Sequence, residues 1–134
     1  MKGGALDLET VMKAARAAAS RAYAPYSNFH VGAAILTGGG TIHSGSNVEN
    51  ASYGLSICAE RNAATTMATA DPEHREIELV AVFSPNTSPC FPCGACRQVL
   101  REFGCKEVVV ETGLGLQRYP FDQILPNSFG PEDL

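Results

Sequence analysis

A chain of 134 residues with 45% hydrophobic content can bury one core and is too short for two ordinary domains, so residues 1–134 read as a single domain. A net charge of −4, with ten scattered Lys and Arg, argues against a protein that binds by neutralising phosphates, and favours a small neutral ligand over nucleic acid. The longest apolar run, Val31 to Leu36 broken by Gly32, is far shorter than the roughly 20 residues of a membrane span, and no continuous apolar stretch precedes Leu8. No membrane association and a cytoplasmic location are therefore expected. The five cysteines form an odd count that fits a disulfide framework poorly, and three of them have metal-like spacing, which implies reduced thiols.

In chain order, the first element is a helix from about Leu8 to Ala22, with Val11, Met12, Ala15, Ala19 and Ala22 recurring at helical intervals and Asp7 as N-cap. Ala24 to Asn28 breaks it. Phe29 to Leu36 then reads as a strand, the three glycines from Gly38 as a turn, and Thr41 to Ser46 as the hairpin partner. A phosphate-cradling role for those glycines fails, because no Gly-Lys-Ser or Gly-Lys-Thr follows and no helix opens there. His30, His43 and His74 have no partner at ligand spacing. Asn47-Val48-Glu49-Asn50 leaves the second strand. Its Asn and Glu, two residues apart, project to one side, where an amide and a carboxylate suit vicinal hydroxyls, although Asn is equally at home in a turn.

Cys58 to about Ala70 is the second helix, ended by Asp71-Pro72, and Ile77 to Ser84 is a buried strand placed centrally in the sheet. A third helix opens at Cys93 and runs to about Phe103, with Gly104 as its stop. Lys106 to Glu111 follows as a strand, and Leu116 to Phe121 as an edge strand. The tail from Ile124 to Pro131 is too rich in breakers for a helix. Strands alternating with helices after a leading helix imply a three-layer α/β/α domain with a mixed sheet of about five strands.

The chemistry concentrates at two helix starts. Cys58-Ala59-Glu60-Arg61 and Pro92-Cys93-Gly94-Ala95-Cys96-Arg97-Gln98 supply three thiols that can converge on one soft tetrahedral ion, for which Zn2+ is the natural occupant. The fourth corner is left open, as in catalytic zinc sites, and Glu60 stands two residues from a ligand, within reach of a water there. Helix N-termini favour thiolate over thiol. Of the remaining cysteines, Cys90 lies in a stiff loop between Pro89 and Pro92 and is a weak fourth-ligand candidate, while Cys105 reads as core.

These motifs, together with Asn47 to Asn50 and Tyr26-Ser27-Asn28-Phe29-His30-Val31-Gly32-Ala33-Ala34, resemble the small, homotetrameric cytidine deaminases over nearly the whole chain. The resemblance implies the chemistry of the zinc nucleobase deaminases: one Zn2+ per chain on Cys58, Cys93 and Cys96, activating a water that Glu60 deprotonates, and hydrolysis of cytidine or deoxycytidine to uridine or deoxyuridine plus ammonia. It further implies that Glu60 passes the proton toward ring N3 and the departing amine. It places Asn47 and Glu49 on the ribose hydroxyls, Phe29 along the base, and Ala59 backbone against the pyrimidine edge. Arg61 matches a position that hydrogen-bonds the ligand sulfurs and offsets the net −1 of three thiolates on Zn2+, with Arg97 a weaker candidate that is otherwise solvated or at an interface. Phe129 matches an aromatic that reaches into a neighbouring subunit's pocket, with the segment around Tyr53 crossing the interface, so the active sites of the homotetramer are expected to be shared.

Four alternatives stand beside this expectation. A blasticidin-type deaminase shares the zinc motifs, but Asn47 to Asn50 favours an ordinary nucleoside. A polynucleotide deaminase would require a basic track that the acidic chain lacks. A zinc-stabilised interaction module would leave Glu60 as a surface carboxylate, and a redox protein would pair the Cys93 and Cys96 thiols instead of metallating them.

Overall fold

The computed structural model describes residues 5–134, with side chains from Leu8 onward. Helix α1 (Ala5–Ala19) precedes a hairpin of β1 (Gly32–Thr37) and β2 (Ile42–Ser46), and a 3-10 turn (Tyr53–Leu55) leads into α2 (Ala59–Ala70). Then come β3 (Ile77–Phe83), α3 (Gly94–Glu102), β4 (Glu107–Thr112), β5 (Gly115–Pro120), the single turn α4 (Phe121–Ile124) and a closing 3-10 turn (Pro131–Asp133). The strands form one mixed sheet ordered β2-β1-β3-β4-β5, in which only β3 and β4 run parallel. The sheet takes its central strand from Ile77–Phe83, as expected.

Strand alternation explains the layers. Ala33, Ile35, Val80, Val82, Val108 and Val110 face α2 and α3, where they meet Ala63, Met67 and Leu100. Ala34, Leu36, Leu79, Ala81 and Val109 face the other way and meet Val11, Met12 and Ala15 of α1. A three-layer α/β/α sandwich results, with the cysteine motifs on the α2/α3 side. Gly45 sets how closely α2 approaches: a Cβ there would stand 2.6 Å from the Ala63 backbone nitrogen. Among the described residues no helix is long and apolar enough to cross a membrane.

Three element boundaries depart from the sequence expectation. Helix α1 begins at Ala5 and ends at Ala19, so Asp7 lies inside it and is no N-cap. Its end is set from outside, because the Tyr23 N–H donates to Asn47 O and Glu49 N–H donates back to Tyr23 O, pulling the chain into extended pairing. The first strand starts at Gly32 and not Phe29: Phe29 to Val31 is bound by the Asn47 amide in place of a neighbouring strand. Phe121 leaves the edge strand and enters the core, starting α4, since its ring is buried among the α2-side residues.

Candidate active site and metal centre

Cys58 and Cys93 occupy the N-cap positions of α2 and α3, both in extended conformation, and neither caps its helix through a side-chain hydrogen bond. The helices pack side by side, so two sets of unpaired N–H groups converge where the thiols gather. The sulfurs of Cys58 and Cys93 are 3.8 Å apart and those of Cys93 and Cys96 3.5 Å, with all three within 4.8 Å of one another. A tetrahedral ion with Zn–S bonds of about 2.3 Å places its sulfurs about 3.8 Å apart, so the donor set fits zinc without rearrangement. Among the described residues this is the one cluster of three or more His, Cys, Asp or Glu spaced to hold a metal.

The protons on this cluster report how much charge it can hold alone. Cys58 is lowered to about 6, first by the Cys96 thiol that hydrogen-bonds it, then by Cys93 and the neighbouring Arg61 guanidinium. Cys96 moves the opposite way, chiefly through its contact with the Cys58 thiolate, then through burial and the charge of Glu60. Cys58 thus gives up its proton readily while Cys96 holds its own, and a dication bound by the cluster would favour the thiolate form. The Arg61 guanidinium lies beside the sulfur of Cys58.

Glu60, in the first turn of α2, is only 4% exposed, and Cys96 Sγ donates to its Oε1 at 3.7 Å. Burial pushes its carboxyl up to about 7, with the Cys58 charge adding to the effect. Such a group sits near the midpoint for both accepting and releasing protons at neutral pH, which is the property general acid–base catalysis demands.

A cleft of about 300 Å³ opens from this corner, lined by Phe29, Asn47, Glu49, Cys58, Ala59, Glu60 and Cys93, so seven of the predicted residues meet on one surface. Asn47 and Glu49 are occupied first by their own chain. The Asn47 amide donates to Phe29 O and accepts from Val31 N–H, each at 2.8 Å. Glu49 Oε1 accepts from the N–H groups of Tyr26 and Ser27 at 3.0 and 3.2 Å, and its Oε2 accepts from the Ser27 hydroxyl. That hydroxyl and those N–H groups hold Glu49 below the usual carboxylate range. One amide N–H on Asn47, one lone pair on its oxygen and one on Glu49 Oε2 remain for a ligand.

Three predicted residues lie off the cleft wall: Arg61, beside Cys58, together with Cys96 and Phe129. Cys96 is wholly buried behind the cleft, as the deepest ligand. Phe129 lies outside its own chain's cleft and is 58% exposed. Arg97 faces neither the sulfurs nor open solvent: its Nε donates to Pro92 O at 2.7 Å and its Nη1 to Ile124 O at 2.6 Å, bracing the loop that delivers Cys93. Cys105 is a core residue, as expected. Sequence reasoning missed Ser56, Ile57 and Phe91 as walls, and it missed Cys90 as a wall whose thiol desolvation raises to about 11. The adjacency of Cys90-Phe91 to Pro92-Cys93 was the available signal. The missed Ser27 bond to Glu49 had none, since 22 residues separate the pair.

The family model described as cytidine and deoxycytidylate deaminase zinc-binding region matches residues 6–112, which include the three cysteines and Glu60 but not Phe129. The cytidine deaminase of Halalkalibacterium halodurans is 39% identical over 132 residues, covering 96% of this chain and 98% of that protein. A crystal structure of the cytidine deaminase from Burkholderia pseudomallei superposes with a TM-score of 0.81 at 43% identity, covering 90% of this chain and 98% of the other. That of the Mycobacterium tuberculosis enzyme gives 0.80 at 36% identity, covering 92% and 98%. With a zinc-spaced thiol cluster, the same fold and near full-length similarity, the chain belongs to the cytidine deaminase family, and Cys58, Cys93 and Cys96 are its zinc-binding set.

Proposed function

We propose that this chain, acting as one catalytic unit, hydrolyses cytidine and deoxycytidine to uridine and deoxyuridine with release of ammonia. The observation that carries the assignment is Glu60: a carboxylate 4% exposed, held against three zinc-spaced thiols at the end of a nucleoside-sized cleft. Zinc bound by Cys58, Cys93 and Cys96 supplies a Lewis acid that makes water nucleophilic at neutral pH. Glu60 takes one proton from the attacking water and delivers it to ring N3 as C4 becomes tetrahedral, then takes the second from the new C4 hydroxyl and passes it to the amine, so that the C4–N bond breaks, the carbonyl forms and ammonia leaves. Phe29 lies along the base and Ala59 presents its backbone to the pyrimidine edge. Asn47 and Glu49 bind the 3′-hydroxyl side of the sugar with their residual donor and acceptors, which both nucleosides can use. Arg61 offsets the negative charge of the three thiolates.

A homotetramer with shared active sites accompanies this assignment. Tyr23, Tyr26, Val48, Tyr53, Leu55 and Ile57 form an exposed apolar group near the cleft, of the kind that marks an interface. Phe129, exposed on its own subunit, is available to close a neighbour's base pocket. A cytoplasmic setting is proposed with it, because a reducing compartment keeps closely spaced thiols from pairing. Spectrophotometric assay with cytidine beside a metal count tests the assignment. Ammonia release that follows one zinc per chain supports it, and zinc-loaded protein inert toward both nucleosides overturns it.

A further inference from the structure

Beyond α4 the chain turns back along the outer face of α3, and one stripe of that helix grips it. Gln98 Nε2 donates to Phe129 O at 2.9 Å. One turn later, Arg101 Nε donates to Ser128 Oγ at 2.7 Å and Nη1 to Glu132 Oε1 at 3.2 Å, while Nη2 reaches the other oxygen of the same carboxylate. The tail backbone lies against the guanidinium itself: a Cβ on Gly130 would stand 2.3 Å from Arg101 Cζ, so a larger residue there would have to push the guanidinium aside. Arg101 is 20% exposed, whereas Phe129, flanked by gripped residues, leaves 58% of its surface in solvent. A planar fork that binds two acceptors at once restrains direction as well as distance.

Helix α3 also carries Cys93 at its N-cap and Cys96 in its first turn. One rigid element thus sets both the metal corner and the line along which the tail departs. Resting on the shared-site assignment above, we infer that Arg101 is a positioning residue: its fork on Ser128 and Glu132, aided by Gln98, aims Phe129 at the base pocket of the neighbouring subunit. A tail released from the fork occupies the closing pose for only a fraction of the time, and the apparent affinity for nucleoside falls by that fraction. Neither the metal nor Glu60 is touched by this loss.

The test compares Arg101→Met, Arg101→Lys, Phe129→Ala and the Arg101→Met/Phe129→Ala double variant, each as full-length zinc-loaded protein. Arg101→Met should raise KM for cytidine about tenfold, corresponding to one charge-assisted hydrogen bond of ~1.4 kcal/mol, with kcat within about twofold and zinc content and sedimentation unchanged. Arg101→Lys should recover part of the loss, since an ammonium pairs with Glu132 but cannot also hold Ser128 in the same plane. In the Phe129→Ala background, Arg101→Met should raise KM no further, because it acts through a ring already removed. Ser128→Ala/Glu132→Gln, which leaves α3 intact, should reproduce the KM increase and guards against a folding defect in the Arg101 variants. An unchanged KM in Arg101→Met, or additive effects in the double variant, overturns the role of Arg101 alone. If Phe129→Ala itself leaves KM unchanged, the shared site fails and this inference falls with it.

Discussion

The metal corner and the Asn47–Glu49 rim share one cleft but are built in opposite ways. The corner joins two helix starts 35 residues apart, and its buried members, Cys96 and Glu60, are groups whose charged forms burial disfavours. The rim is made of Asn47 and Glu49, whose hydrogen bonds go first to the backbone of Tyr26 to Val31 and so help hold the fold together. The corner thus gathers groups whose charge burial disfavours, and the rim gathers groups whose hydrogen bonds already serve the fold.

That contrast is open to direct tests, and the largest effect belongs to the corner. Cys96→Ala should remove stoichiometric zinc and bring cytidine turnover to background, as read by metal analysis beside the assay; full activity with two thiolates would dissolve the corner as a metal site. Glu60→Gln should retain zinc and lose about 10²–10⁴-fold in kcat, the usual range for a general acid–base group. The same variant should keep or raise the Tm, because a neutral amide replaces a buried carboxylate. A lower Tm would mean that Glu60 stabilises the fold and that the two regions are not opposites.

Arg61→Ala comes next, with a loss of roughly 10–100-fold in zinc affinity or activity, as is typical when a group supporting a metal ligand is removed. Unchanged rate and metal content would confine Arg61 to the surface. The smallest change in rate, but the clearest in stability, is expected at the rim. Asn47→Ala removes two hydrogen bonds and should cost about 1–3 kcal/mol of folding free energy while raising KM. Denaturant unfolding with wild-type midpoint, alongside a raised KM, would show that Asn47 serves the substrate only.

Legibility in the sequence divides along the same line. The corner was readable because zinc restricts its donors and their geometry so tightly that three cysteines and one glutamate, each at a helix start, suffice to specify it. The central strands were readable as short apolar runs bounded by turn residues, as Ile77 to Phe83, buried at five of its seven positions, illustrates. The rim was readable only as residue types. That Phe29 to Val31 would be tied to an amide 16 or more residues away, and so withheld from the sheet, leaves no periodic trace. Nor does the turn at Phe121, where burial of one ring overrode the edge-strand pattern.

The sequence by itself determined the donors of the metal centre, the carboxylate of Glu60 beside them and the apolar runs that make a layered sheet, because each is encoded by residues close together in the chain. Only the tertiary structure decided that Glu60 is largely desolvated at the end of the cleft and raised to about 7, that Arg97 braces the Cys93 loop, and that Arg101 grips the tail. Desolvation and long-range hydrogen bonds depend on which distant segments come to lie against a side chain, and no local spacing records that.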